Sequence, residues 1–112
     1  MTDNEMPACL LIVTAEIDAS VEAEWNDWYD KVHLPDALAC PGVLRGRRFV
    51  QTGEASHTDH GSVSRAASKT YVTVYELSGP EATTTPEFQK MRGWYRFLPH
   101  IRAVTRVVTA LA

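Results

Sequence analysis

The chain has 112 residues, a length that predicts one domain with its own hydrophobic core. Apolar residues make up 45% and charged residues 22% of it, as in ordinary globular proteins. Eleven basic against fourteen acidic side chains give a net charge of −3, which argues against nucleic-acid binding. The acidic amino-terminal stretch is unlike a signal peptide, and the apolar run after it is too short to span a bilayer. We therefore expect a cytoplasmic protein that binds no membrane.

Four segments have the composition of β-strands. Residues 8–17 form a continuous apolar run, which is typical of a strand buried on both faces. Residues 43–51 are predicted to form a second strand, residues 101–111 are rich in β-branched residues, and residues 69–77 alternate in polarity with a period of two. Residues 52–68 are polar and contain many small side chains, so we interpret them as a long loop within the single domain 1–112.

A helix is predicted between the first two strands, from about residue 21. Four residues follow the i, i+3, i+4, i+7 spacing of one apolar stripe: Trp25, Trp28, Tyr29 and Val32. Proline lacks an amide hydrogen and clashes with the preceding turn, so we expect Pro35 to end or bend this helix near His33. A second helix is predicted over residues 86–92, where Thr85 precedes Pro86 as a start signal, with a further short helical piece toward Pro99.

The predicted order is β-α-β-β-α-β, which is that of a ferredoxin-like α+β fold. Such a fold has one four-stranded antiparallel sheet with both helices on one face. In the third strand, Tyr71, Thr73 and Tyr75 face one way, whereas Val72 and Val74 face the other. We expect the Tyr–Thr–Tyr face to lie open in a monomer, so that a second subunit or a ligand would cover it.

The segment WNDWYDKVHLPD, residues 25–36, concentrates side chains that can carry out chemistry. His33 can hold and release a proton near neutral pH as a general acid or base, although it could equally cap the helix. Asp30 and Asp36 lie three residues to either side, and either could orient the imidazole. Tyr29 could donate its hydroxyl to a substrate oxygen, and Trp28 could line the pocket beside it.

Further candidates for substrate binding lie outside this segment. Arg47 and Arg48 are adjacent on a strand, so one of them points inward, where a guanidinium would bind a carboxylate or phenolate. We give this role to Arg47. Tyr71 and Tyr75 share a strand face, and one of them is expected to line the cavity. His100 stands at the start of the last strand, in a position suited to a pocket rim.

Signals for a cofactor or a metal are weak in this sequence. His57 and His60 are three residues apart with an aspartate between them, but they fall in the polar segment and no third ligand is evident. The phosphate-binding glycine motifs and the serine-hydrolase motif do not occur. We therefore expect neither a metal nor a cofactor.

The most specific pattern is WNDWYDKVHLP at residues 25–35, followed by PGV at residues 41–43 and an arginine-rich strand. Together with YVTVYEL and the TPEFQ helix start, it resembles the EthD-like group of the dimeric α+β barrel superfamily over about residues 9–108. The resemblance implies that two ferredoxin-like subunits pack sheet against sheet as a homodimer. It also implies a pocket in each protomer between sheet and helices, with His33 pointing into it.

The resemblance implies a small-molecule protein of a superfamily that is chemically diverse. We predict a cofactor-independent lyase, isomerase or cyclase that moves a proton through His33 on a small aromatic or carbonyl-bearing metabolite. Tyr29 or an inward arginine would stabilise the developing oxyanion. Three alternatives remain open: a cofactor-free monooxygenase, a non-catalytic small-molecule binding or accessory protein, and a structural dimer with a vestigial pocket.

Overall fold

The sheet is built from strands that lie far apart in the sequence. The computed structural model describes residues 6–112. Its strands, in chain order, are β1 (Cys9–Ile17), β2 (Val43–Gln51), β3 (Glu54–Asp59), β4 (Ser62–Ala67), β5 (Thr70–Leu77) and β6 (Ile101–Thr109). Four of them form one antiparallel sheet in the order β2-β5-β1-β6. The four strands predicted from the sequence and their antiparallel pairing are confirmed.

The polar segment between β2 and β5 is not an irregular loop. Strands β3 and β4 pair over their whole length as a separate two-stranded hairpin. The prediction of a long loop over 52–68 is wrong because the hairpin depends on local backbone pairing rather than on an apolar face. His60 and Gly61 form its two-residue turn with positive φ angles of 46° and 89°, the backbone that hairpin turns prefer.

One helical segment runs from residue 22 to residue 38 and contains a change of helix type. Helix α1 (Glu22–Trp28) continues into a π turn (Tyr29–His33) and then into helix α2 (Leu34–Leu38). Of the two expectations for Pro35, that it ends the helix is wrong, because the helical segment continues to Leu38, whereas a change of helix type does occur next to it at Tyr29–His33. Pro35 occupies the first turn of α2, and the shifted hydrogen bonding of the π turn before it accommodates a residue without an amide hydrogen.

The remaining helical segments connect β5 with β6. Helix α3 (Pro86–Met91) lies between two 3₁₀ segments, Pro80–Thr84 and Tyr95–His100. The side chain of Thr85 accepts a hydrogen bond of 3.1 Å from the Phe88 amide and so caps α3. The predicted second helix and the helical piece at Pro99 are confirmed. Among residues 6–112, no helix is long and apolar enough to cross a membrane.

The helices cover the face of the sheet that carries the tyrosines. Thr73 and Tyr75 are each 3% exposed, whereas Val72 and Val74 on the opposite face are only partly buried. The expectation that the Tyr–Thr–Tyr face lies open is therefore wrong, and the aliphatic face is the open one. Burial of the tyrosines is tolerated because their hydroxyls find partners among helix side chains, including Asn26 for Tyr71.

Candidate functional site

A cavity of about 460 Å³ lies between the covered face of the sheet and the helices. Its apolar walls come from the strands and from α3, and they include Leu11, Val13 and Phe88. Its polar lining consists of His33, Tyr29, Tyr75, Thr105 and Arg92. An apolar pocket with a few convergent polar groups is the usual form of a small-molecule site.

His33 is the last residue of the π turn, and aromatic rings surround its imidazole. Its imidazole stacks on the Trp28 ring with centroids 4.6 Å apart and an interplanar angle of 17°. The Tyr29 ring is nearly perpendicular to the imidazole with its centroid 4.8 Å away, and the centroid of the Trp94 ring lies 5.6 Å away. His33 is 8% exposed, and no residue of the described part of the chain forms a hydrogen bond with its ring. The ring nitrogens are thus available to a ligand.

Burial lowers the pKa of His33 from its ordinary 6.5 to about 4, because the aromatic surroundings penalise the charged imidazolium. The positive charge of Arg48 lowers this pKa further, whereas the carboxylate of Asp36 opposes both effects. The imidazole is therefore neutral across the physiological pH range. A neutral imidazole has one nitrogen free to accept a proton.

Two tyrosine hydroxyls meet inside the cavity beside His33. The oxygens of Tyr29 and Tyr75 lie 3.4 Å apart, with Tyr29 1% and Tyr75 3% exposed. Burial raises the pKa of Tyr75 far above its ordinary value, and the neighbouring Tyr29 raises it further. Tyr75 therefore stays protonated and can donate a hydrogen bond to an oxygen of a bound ligand.

Arg48 is the inward arginine of β2 and holds Tyr29 in place. Its guanidinium carbon lies 4.2 Å from the centroid of the Tyr29 ring, within the range of a cation–π contact. It donates to the Asp30 carboxylate and to the Asn26 side-chain oxygen, each over 2.7 Å. The arginine thus connects the sheet to α1 and the π turn, outside the cavity lining.

Comparison with known proteins places the chain in a family. Residues 8–95 match the family described as Domain of unknown function (DUF4286). The chain belongs to the DUF4286 family. No match was found among curated proteins. Membership of the EthD-like group stays a prediction.

Two solved structures resemble this DUF4286 chain over nearly its whole length. HapK from Hahella chejuensis is 15% identical with a TM-score of 0.58, and 92% of each chain is covered. SnoaB from Streptomyces nogalater, a cofactor-independent oxygenase, is 12% identical with a TM-score of 0.51, covering 94% of this chain and 95% of SnoaB. At these identities the likeness shows the fold, which is that of dimeric α+β barrel proteins.

Within the DUF4286 structure, His33, Tyr29 and Tyr75 meet in the cavity, and Trp28 packs behind His33 without lining it. The two aspartates do not orient the histidine. Asp30 pairs with Arg48, and Asp36 acts on His33 only through its charge. The expectation that an aspartate would orient His33 is wrong because Arg48 binds the Asp30 carboxylate, and among the described residues no hydrogen bond joins either aspartate to the imidazole.

Three other predicted binding residues lie away from the cavity. Arg47 lies on the open face of the sheet, with its guanidinium 5.9 Å from the Phe49 ring. Tyr71 packs against Trp25 with ring centroids 5.0 Å apart, at the other end of the helix interface. His100 pairs with Asp18 over 3.1 Å in a separate surface depression. These placements correct the assignment of Arg47 and His100 to the site. Of the two tyrosines, one of which was expected to line the cavity, Tyr75 lines it and Tyr71 does not.

The cavity residues contributed by α3 and the segment after it were not predicted from the sequence. Arg92, Gly93 and Trp94 line the cavity, and Thr105 lines it from β6. The signal for Arg92 and Trp94 was the glycine between them, since Gly93 has a φ of 115° that turns the chain back toward the sheet.

The four histidines do not converge on a metal site. His57 and His60 belong to the hairpin, where His60 pairs with Asp59 over 2.7 Å. Within residues 6–112, no group of three histidine, cysteine or acidic side chains is placed to hold a metal ion.

Proposed function

We propose that this protein is a cofactor-independent enzyme that moves a proton through His33 on a small aromatic or carbonyl-bearing metabolite. The observation that carries the proposal is the neutral, unpartnered imidazole in the wall of a mainly apolar cavity, beside two tyrosine hydroxyls. A general base and an oxyanion donor facing one cavity are the two groups that proton abstraction beside a carbonyl requires.

In the proposed reaction, His33 takes a proton from a carbon next to the substrate carbonyl. The electron pair of the broken C–H bond moves into the enolate, and the enolate oxygen accepts a hydrogen bond from Tyr75 or Tyr29. His33 then returns the proton to another carbon, which completes an isomerisation. In a lyase reaction the enolate instead expels a leaving group, and His33 delivers the proton to it.

The low pKa of the free site is compatible with this role. It keeps the imidazole in its basic form at any pH above about 4. The negative charge that develops on the enolate favours the imidazolium, so the pKa of His33 rises as the proton is transferred. The base is therefore strongest in the transition state, where binding energy accelerates the reaction.

A cofactor-free monooxygenase is the second candidate. The same enolate could reduce molecular oxygen in a cavity with apolar walls, and SnoaB, which shares this fold, is a cofactor-independent oxygenase. A third candidate is a non-catalytic binding protein, for which the aromatic walls would serve equally well. The three candidates predict different outcomes. A lyase or isomerase exchanges protons only, a monooxygenase also consumes oxygen, and a binding protein binds the ligand without turnover.

We also propose that the protein is a homodimer that packs sheet against sheet. The open face of the sheet carries large apolar side chains that include Phe49, which is 50% exposed, and Val104, which is 44% exposed. Exposed large apolar side chains on one face of a sheet are typical of an interaction site. A second copy presenting the same face would remove this surface from water.

Deuterium exchange at a ketone tests the role of His33 without knowledge of the natural substrate. The probe is 2-tetralone, a bicyclic aromatic ketone, whose exchange at the carbon next to the carbonyl is followed by NMR in deuterated buffer. Wild-type protein should accelerate the exchange, and His33→Asn should lower the protein-dependent rate about 100-fold, the usual contribution of a general base.

The matched control is His57→Asn, which removes an exposed histidine of the hairpin and should leave the exchange rate unchanged. Full exchange by a folded His33→Asn variant would exclude His33 as the base. A wild-type rate equal to that of buffer, with the probe bound, would favour the binding protein. Oxygen uptake with the same probe would favour the monooxygenase.

A further inference from the structure

We propose that the cavity takes an aromatic carboxylate, with Arg92 at the rim pairing with the carboxylate and the reacting carbon lying inward beside His33. This inference rests on the proposed function of the cavity and adds the chemical class of the substrate. It comes from the charges that line the cavity, the path of the chain at its rim and its size.

The first observation is an unbalanced positive charge. The part of the chain that the structure describes contributes no carboxylate to the cavity lining, and Arg92 is its one residue with a full charge at neutral pH. Arg45, Arg48 and Arg96 each pair with an acidic side chain, whereas Arg47, Arg65, Arg102 and Arg106 do not within the described residues, and none of these seven arginines lines the cavity. Among residues 6–112, no acidic side chain forms an ion pair with Arg92. A ligand carboxylate would supply the missing charge, and a guanidinium binds a carboxylate through two parallel hydrogen bonds.

The second observation is the path of the chain at the rim. The Arg92 amide donates to the Phe88 carbonyl over 3.0 Å, which ends α3, and Gly93 then reverses the chain. The reversal leaves Arg92 exposed at the rim and returns Trp94 to the cavity wall, 5.6 Å from His33. The cavity therefore has a charged, solvent-exposed rim at Arg92 and an aromatic interior that contains His33. A ligand with one anionic end would bind in a single orientation.

The third observation is size. A cavity of about 150 Å³ holds one benzene molecule. The present cavity of about 460 Å³ is three times larger and is walled by Phe88, Trp94 and Tyr29. It has room for two or three aromatic rings with a short acidic side chain. Together with the rim charge, this size favours a bicyclic or tricyclic aromatic acid over a small aliphatic one.

A matched pair of ligands tests the inference by isothermal titration calorimetry. The probes are 2-naphthylacetate and its neutral amide, 2-naphthylacetamide, which differ in charge and hardly in shape. Wild-type protein should bind the acid about tenfold more tightly than the amide, the effect of one charged hydrogen-bonded contact. Arg92→Gln should abolish this preference while leaving the affinity for the amide unchanged, and Arg92→Lys should keep part of it.

The matched control is Lys90→Gln, which removes the same charge from α3 at a position outside the cavity lining. It should preserve the preference for the acid. Equal affinity for acid and amide, no binding of either probe, or an equal loss of preference in Lys90→Gln would overturn the inference. Near-ultraviolet circular dichroism of each variant establishes that its aromatic cluster is intact.

The two proposals fail separately. If Arg92→Gln abolishes the preference for the acid but His33→Asn leaves proton exchange unchanged, the cavity binds aromatic acids and His33 is not the base. If His33→Asn abolishes exchange but the acid and the amide bind equally, the role of His33 as the base is supported and the carboxylate site at Arg92 is refuted.

Discussion

The imidazole of His33 is buried without a hydrogen-bond partner among the described residues, and the proposed chemistry depends on this single side chain. The sequence singled out His33 and Tyr29 because packing alone did not require a hydroxyl and an imidazole in that helix. It could not show that the surroundings would be aromatic rather than acidic. Trp94 comes from a distant part of the chain, and the stacking of Trp28 on His33 depends on the π turn.

The pKa of His33 makes the stability of the protein dependent on pH. The folded state holds His33 neutral down to about pH 4, whereas the unfolded chain binds a proton near its ordinary pKa of 6.5. The stability that neutral burial provides is therefore complete above pH 6.5 and is lost as the pH falls from 6.5 to 4. We expect a loss of about 2–3 kcal/mol between pH 7 and pH 4.5 from this residue.

Urea unfolding of the wild type and of His33→Phe at the two pH values measures this contribution. The phenylalanine keeps the ring stacking but cannot bind a proton, so the variant should lose less stability on acidification by that same amount. Equal losses in both proteins would mean that His33 titrates normally in the folded state.

At the element scale, the site depends on the close approach of β2 to β5. The sequence predicted both strands with nearly correct bounds, because their periodicity is a local property. It could not predict that Gly46 lies opposite Tyr75, since this register arises only when the strands pair. A Cβ atom at Gly46 would lie 2.5 Å from Cδ1 of Tyr75, so the tyrosine ring occupies the space that a side chain would need.

We expect Gly46→Ala to destabilise the fold by about 1–3 kcal/mol, the usual cost of overpacking a core. The Tyr75 ring would have to move, and its hydroxyl would lose its position beside Tyr29. Urea unfolding gives the change in the free energy of unfolding. In a Tyr75→Leu background the same glycine replacement should cost less than half as much, and an unchanged cost would refute the steric explanation.

At the scale of the whole molecule, the face of the sheet that lies open determines how subunits would meet. The sequence predicted one covered and one open face but assigned them the wrong way round. The alternation of Tyr71, Thr73 and Tyr75 with valines has the same period on either face, so only the packing of the helices decides which face they cover. On the open face, β5 contributes the aliphatic side chains of Val72 and Val74, with Phe49 and Arg47 beside them on β2, and the valines suit self-association better than hydroxyl groups would.

We expect the wild type to have about twice the mass of the 12.5 kDa chain in light scattering coupled to gel filtration. Val74→Asp would bury a carboxylate in the centre of the proposed interface, so it should give a folded monomer. The matched control is Leu98→Asp, at a position 65% exposed on a 3₁₀ segment, which should remain dimeric. A monomeric wild type would refute the sheet-to-sheet dimer.

The π turn has a consequence for how this chain can be compared with its relatives. A π turn holds one residue more than an α turn. The simplest origin of a π turn is therefore the insertion of one residue into a regular helix. Removing that residue would rotate the preceding part of the helix by about 100° relative to the part that follows it. Some relatives would then lack the inserted residue. A sequence alignment without a gap between Trp28 and Leu34 would align His33 with residues of those relatives that do not reach the cavity. A structural superposition, rather than the motif alone, identifies which relatives have a histidine at the place of His33.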